Sequence, residues 1–93
     1  MVIAVDFDGT LVNGEEPLPG AKEAMQALRD ADHVIIIHSC NNEDWIRRVL
    51  NNADIPYDYI WTKPGKPIAH AYVDDRSVEF NNNWEEIVKR LNG

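Results

Sequence analysis

The sequence has little that would mark a secreted or membrane-bound protein. It has a single cysteine, Cys40, in 93 residues. No internal disulfide can form, and a reducing, cytoplasmic setting is expected. The longest apolar runs are Met1–Val5 and Val34–Ile37, far short of the ~20 residues a membrane helix needs. No positively charged segment leads into an apolar stretch, so neither a secretory signal nor a membrane partner is expected. Basic residues are scarce as well: Lys plus Arg number 9 against 16 Asp plus Glu, for a net charge of −7. That balance argues against extended binding of nucleic-acid backbones over a broad basic face. It leaves room for a small local phosphate site. Repeats, low-complexity tracts and linkers are missing, and residues 1–93 read as one domain.

What is present is an alternation of strands and helices. Met1–Phe7 carries Val2, Ile3, Ala4 and Val5 without polar interruption, the pattern of a parallel strand covered on both faces. His33–His38 repeats it with Val34 to Ile37. Tyr57–Trp61 and Ala69–Val73 are weaker strand candidates, and Ser77–Phe80 is a candidate edge strand. Helices are expected over Gly20–Ala31, Glu43–Ala53 and Trp84–Leu91, where apolar residues recur at i, i+3, i+4 and i+7. Asn83 and Glu86 have capping-box spacing at the start of the last helix, and Asn41 and Asn42 are placed to cap the second. Trp45 and Trp84 are read as core anchors. Leu11–Glu15 contains Asn13-Gly14, a signal for a tight hairpin. The alternation predicts an α/β fold, a three-layer α/β/α sandwich around a mainly parallel sheet.

In such sheets ligands bind beyond the carboxyl ends of the strands. The residues there are Asp6-Phe7-Asp8-Gly9-Thr10, His38-Ser39-Cys40-Asn41-Asn42 and Asp74-Asp75, with Lys63-Pro64-Gly65-Lys66-Pro67 ahead of the last main strand. Parallel neighbours would bring four carboxylates, a hydroxyl and a lysine to one sheet edge. Crowded carboxylates repel and resist ionisation unless compensated. A hard divalent cation removes that difficulty: Mg²⁺ takes one or two carboxylates, several waters and substrate phosphate oxygens. A lysine then balances the phosphate. This residue set suits phosphoryl transfer, in which positioning and charge neutralisation supply most of the catalysis.

Here the chain resembles the haloacid dehalogenase superfamily of phosphohydrolases. The likeness rests on Asp6-Phe7-Asp8-Gly9-Thr10-Leu11 after an apolar strand, on Ser39 after another, on a Lys-Pro and on Val73-Asp74-Asp75, in the family's order over nearly the whole chain. The stretch from Gly65-Lys66-Pro67 to Asp75 is most similar to small members from bacteria and their phages. The resemblance implies that Asp6 is the nucleophile, forming an aspartyl-phosphate. Asp8 would be the general acid and then the base. Asp6, the backbone carbonyl of Asp8, Asp74 and Asp75 would hold Mg²⁺. Ser39 would contact the phosphoryl group with backbone N–H groups around Cys40 and Gly9. Lys66, preferred over Lys63, would be the active-site lysine. Thr10 would buttress the loop.

Two further expectations follow. Neither the segment between Asp8 and the second strand nor that between Ser39 and Lys63 can hold a cap domain, so the site should be open. It suits a macromolecular end or a small substrate, the latter closed in by a second copy in a homo-oligomer. Alternatives on the same residues are a phosphotransferase, a pyrophosphatase, or a non-catalytic phosphate- or metal-binding module. A cysteine-phosphatase reading of Cys40 lacks its arginine, since Arg47 falls inside a helix. His33 and His70 are read as structural, and His38, at a strand end, is placed to line the site, although a structural role is the commoner one for such a residue.

Overall fold

The computed structural model describes residues 1–74 and 83–93. In chain order it contains β1 (Val2–Asp6), β2 (Val12–Asn13), β3 (Glu16–Pro17), α1 (Ala21–Asp30), β4 (Val34–His38), α2 (Glu43–Asn52), β5 (Tyr59–Trp61), β6 (Ala71–Val73) and α3 (Trp84–Asn92). The candidate strand Ser77–Phe80 lies outside the described residues. The main sheet has the order β5-β4-β1-β6 and every pairing in it is parallel. The α/β class and the mainly parallel sheet are as expected. No helix among the described residues is long and apolar enough to cross a membrane.

Strand periodicity sends alternate residues to opposite faces. Ile3, Val5, Ile35, Ile37 and Val73 belong to one buried cluster. The same cluster takes Ala21, Ala24, Met25 and Leu28 from α1, Ile46, Val49 and Leu50 from α2, and Trp84 and Ile87 from α3. All three helices therefore pack on the same face.

The opposite face is covered unevenly, with Ala4 only 2% and Tyr59 64% exposed. It carries Ala4, Ile36, Tyr59 and Tyr72, which lie in one row across the sheet. No described helix covers them. β5 and β6 occupy opposite edges of the sheet, and residues 62–70 must return from one to the other. A diagonal across three strand spacings and one strand length is about 21 Å. Nine residues as a helix reach only about 13.5 Å, whereas the same residues extended reach about 30 Å. The third layer is accordingly an extended strap. Pro67 is buried in it, and the Pro67 carbonyl accepts a 2.7 Å hydrogen bond from the Tyr72 hydroxyl, which itself accepts from the Ala69 N–H at 3.2 Å.

Several local expectations are refined. The hairpin turn is shifted by one residue: Asn13 ends β2 and Gly14-Glu15 form the loop, with Gly14 at φ +67°. A first loop position of positive φ is where a glycine is favoured. Asn42 caps α2, its side chain accepting from the Trp45 N–H at 3.1 Å. Asn41 instead accepts from the Asn42 N–H at 2.8 Å. The capping box at Asn83 is not formed, because Asn83 makes no side-chain cap there and its carbonyl accepts from Glu86 N–H at 3.1 Å. His33 and His70 serve the backbone and chain ends. His33 meets the amino terminus at 3.1 Å and Asn92 at 2.8 Å, and His70 Nδ1 accepts the Val2 N–H at 2.9 Å.

Candidate active site

The register builds the site. Asp6 is paired with His38, and Val5 with Val73, so Asp74 follows at the level of Asp6 on the neighbouring strand. Asp6 and Asp74 share the parity of Ala4 and Tyr72 and so belong to the thinly covered face. A cleft of about 370 Å³ opens there, lined by Asp6, Asp8, His38, Ser39, Cys40, Lys66 and Asp74. The sequence positions most distant from one another thus meet at the carboxyl edge of the central strands, as open parallel sheets dictate.

The loop after β1 is held internally. The Phe7 carbonyl accepts from the N–H groups of Thr10 (3.3 Å), Leu11 (3.0 Å) and Val12 (3.3 Å). Phe7 is fully buried on the helical side, which fixes the loop and leaves Asp6 and Asp8 on the cleft side. Gly9 turns the chain at φ +79°, a conformation that costs other residues roughly 1–2 kcal/mol. Its N–H donates to the Val12 carbonyl at 2.8 Å and it does not line the cleft. Of the backbone N–H groups around Gly9, that of Gly9 itself is thus engaged within the loop. Thr10 is buried. Its carbonyl accepts the Trp84 indole N–H at 3.0 Å, and its hydroxyl finds no partner among the described residues. Thr10 thereby ties the loop to α3, the buttress that was expected.

Ser39 is buried, and its Oγ accepts from the Asn41 N–H at 3.0 Å. That leaves the hydroxyl proton to donate toward the cleft. Cys40 is exposed as a free thiol. Arg47 lies on α2 and its guanidinium bonds Glu43 at 2.6 Å and Asp44 at 3.2 Å. The Glu43 hydrogen bond raises its pKa above the ordinary guanidinium value. It does not join Cys40.

The two lysines separate. Lys66 lines the cleft, with Nζ 3.6 Å from Asp74 Oδ2 and 5.6 Å from the centre of the Tyr72 ring. Lys63 stands over Trp61, 5.5 Å from its ring centre, in a different cavity. Asp75 lies outside the described residues. His38, the strand-end residue placed to line the site, does line the cleft.

Among the described residues that line the cleft, three carry carboxylates, Asp6, Asp8 and Asp74, and one an ammonium, Lys66. Among the described residues no set of three or more His, Cys, Asp or Glu side chains forms a metal cage. Hard oxygen donors without a full cage suit Mg²⁺, which keeps waters and takes substrate oxygens to complete its shell.

Comparison with known proteins agrees with this geometry. Residues 3–57 match the family model described as haloacid dehalogenase-like hydrolase. A solved structure, that of a conserved protein coded by a locus of Bacteroides thetaiotaomicron, matches with a TM-score of 0.79. It is 26% identical, and the match covers 98% of this chain and 88% of that one. No curated protein matches.

Proposed function

The chain belongs to the haloacid dehalogenase-like hydrolase family, and from that premise we propose that it is a Mg²⁺-dependent phosphomonoesterase with an open, uncapped site. The observation that carries this reading is the cleft in which Asp6, Asp8, Ser39, Lys66 and Asp74 converge. A carboxylate oxygen of Asp6 attacks phosphorus, and the bond from phosphorus to the leaving oxygen breaks. Asp8 gives that oxygen its proton. In the second half Asp8 takes a proton from water, the water oxygen attacks phosphorus, and the acyl phosphate bond to Asp6 breaks. Ser39 and Lys66 hold the phosphoryl oxygens, and Lys66 is itself oriented by Asp74.

Mg²⁺ would be held by Asp6, the Asp8 carbonyl and Asp74, with Asp75 as a further candidate. When bound it offsets the charge of the phosphoryl oxygens and lets two anions approach. The segments Val12–Pro17 and Ala21–Asp30 supply only a hairpin and a helix between β1 and β4, which supports the uncapped reading.

The test is turnover of a phosphate-ester panel, with and without Mg²⁺, by the native protein and Asp6→Asn. Hydrolysis that needs Mg²⁺ and vanishes in the variant is expected. Hydrolysis that survives Asp6→Asn would refute the nucleophile assignment.

A further inference from the structure

A second cavity, of about 340 Å³, adjoins the edge strand β5 and is lined by Ile36, Glu43, Tyr59, Trp61 and Lys63, among others. Its position relative to the cleft follows from the register. Trp61 pairs with His38, and His38 pairs with Asp6. Strands lie 4.7–4.9 Å apart, which puts Trp61 about 10 Å from Asp6 across the sheet. His38 lines the cleft and stands between them.

The lining has a definite chemistry. Trp61 and Tyr59 share the parity of Ile36 and offer a flat, largely apolar floor. The Trp61 indole N–H donates to the Gly65 carbonyl at 3.1 Å, which fixes the ring's edge. Lys63 holds a cation 5.5 Å from the ring centre. The one carboxylate in the lining, Glu43, is bonded by Arg47 at 2.6 Å, so its repulsion of an anion is reduced. Aromatic floors with a nearby cation bind flat heterocycles by stacking.

We propose that the substrate is a free nucleoside monophosphate, its phosphate in the cleft, its sugar over His38 and its base on Trp61 and Tyr59. This assignment rests on the phosphomonoesterase reading. Spacing distinguishes it from simpler esters. An aryl phosphate, with its ring joined directly to the ester oxygen, ends near His38. An alkyl phosphate leaves the second cavity empty. A polynucleotide end adds phosphates that a protein of net charge −7 repels.

The test compares kcat/KM with Mg²⁺ for adenosine monophosphate, phenyl phosphate, glycerol phosphate and a 5′-phosphorylated oligonucleotide. The Trp61 indole N–H resonance is followed separately during titration with adenosine monophosphate. The nucleotide is expected to be preferred by about tenfold or more, the order that base stacking supplies. Trp61→Leu should erase most of that preference through KM, and Trp61→Phe should keep most of it. Equal losses in both variants would overturn the proposal, because the ring would then serve only to hold Gly65 and the strap. A preference for the oligonucleotide, or an unmoved indole resonance, would overturn it as well. Hydrolysis of all four esters without preference would overturn the substrate assignment and leave the phosphomonoesterase reading standing. A saturable indole shift with no hydrolysis of any ester would overturn the phosphomonoesterase reading, and the substrate assignment with it, and leave only nucleotide binding at Trp61.

Discussion

Ile3, Val5, Ile35 and Ile37 on one face of the sheet are completely buried under three helices. On the other face Val34, Tyr72 and Tyr59 remain 37%, 43% and 64% exposed, under a strap from which Ile68 projects with 94% exposure. Both sets come from one sheet, and on β4 they are adjacent residues, Val34 and Ile35. The first face holds the molecule together. The second, which keeps Asp6 and Asp74, holds the charged groups and stays open. A densely packed layer over Asp6 would strip water from it and raise the cost of keeping it ionised. Thin cover keeps the carboxylates in contact with water, which a cation and a substrate would replace under the proposed function.

This division can be broken from either side. The largest effect is expected from Asp6→Asn, which should lower turnover of any phosphate ester by about three orders of magnitude or more while leaving thermal unfolding almost unmoved. A stability loss as large as that of a core truncation would contradict the division. Next is Ile37→Ala on the helical face, expected to destabilise by about 2–5 kcal/mol in urea titrations. A cost under about 1 kcal/mol would mean that this face is not the packed one. Lys66→Ala should lower kcat about 100-fold, the usual order for losing one charged donor to a developing anion. If Lys63→Ala gave the larger fall on glycerol phosphate, the assignment of the lysine to the cleft would be wrong. Asn42→Ala should cost about 1 kcal/mol through the lost cap of α2, measured by chemical denaturation. The smallest change is expected for Tyr59→Ala, within about 0.5 kcal/mol of native stability. A loss of several kcal/mol there would show the second face to be as heavily used as the first.

Much of this was readable from the residues, for identifiable reasons. The uninterrupted runs Val2–Val5 and Val34–Ile37 reveal central parallel strands because only a sheet interior tolerates them. The polar residues that end those runs, Asp6 and His38-Ser39, mark the functional edge by position alone. The unequal faces were not readable in the same way. An uninterrupted run implies burial on both sides, and only the strand order shows that residues 62–70 must cross in extended form. The lysine choice depended on the same crossing. Lys63 leaves β5 beside Trp61, whereas Lys66, three residues further along the strap, arrives over Asp74. Trp61 offered no sequence signal beyond being the final residue of a weak strand. The Asn83 box failed because the spacing of two side chains does not fix the backbone angles that a cap requires. That the Val12 carbonyl takes the Gly9 N–H is a detail of the loop that no motif reveals.

The bond from the Trp84 indole to the Thr10 carbonyl joins residues 74 positions apart. Its consequence concerns timing during synthesis. The aspartate loop leaves the ribosome 74 residues ahead of the indole that clamps it. β1 likewise waits for β6 to complete its pairing. A chain not yet extended to α3 therefore carries Asp6 and Asp8 without the long-range contacts that hold their loop.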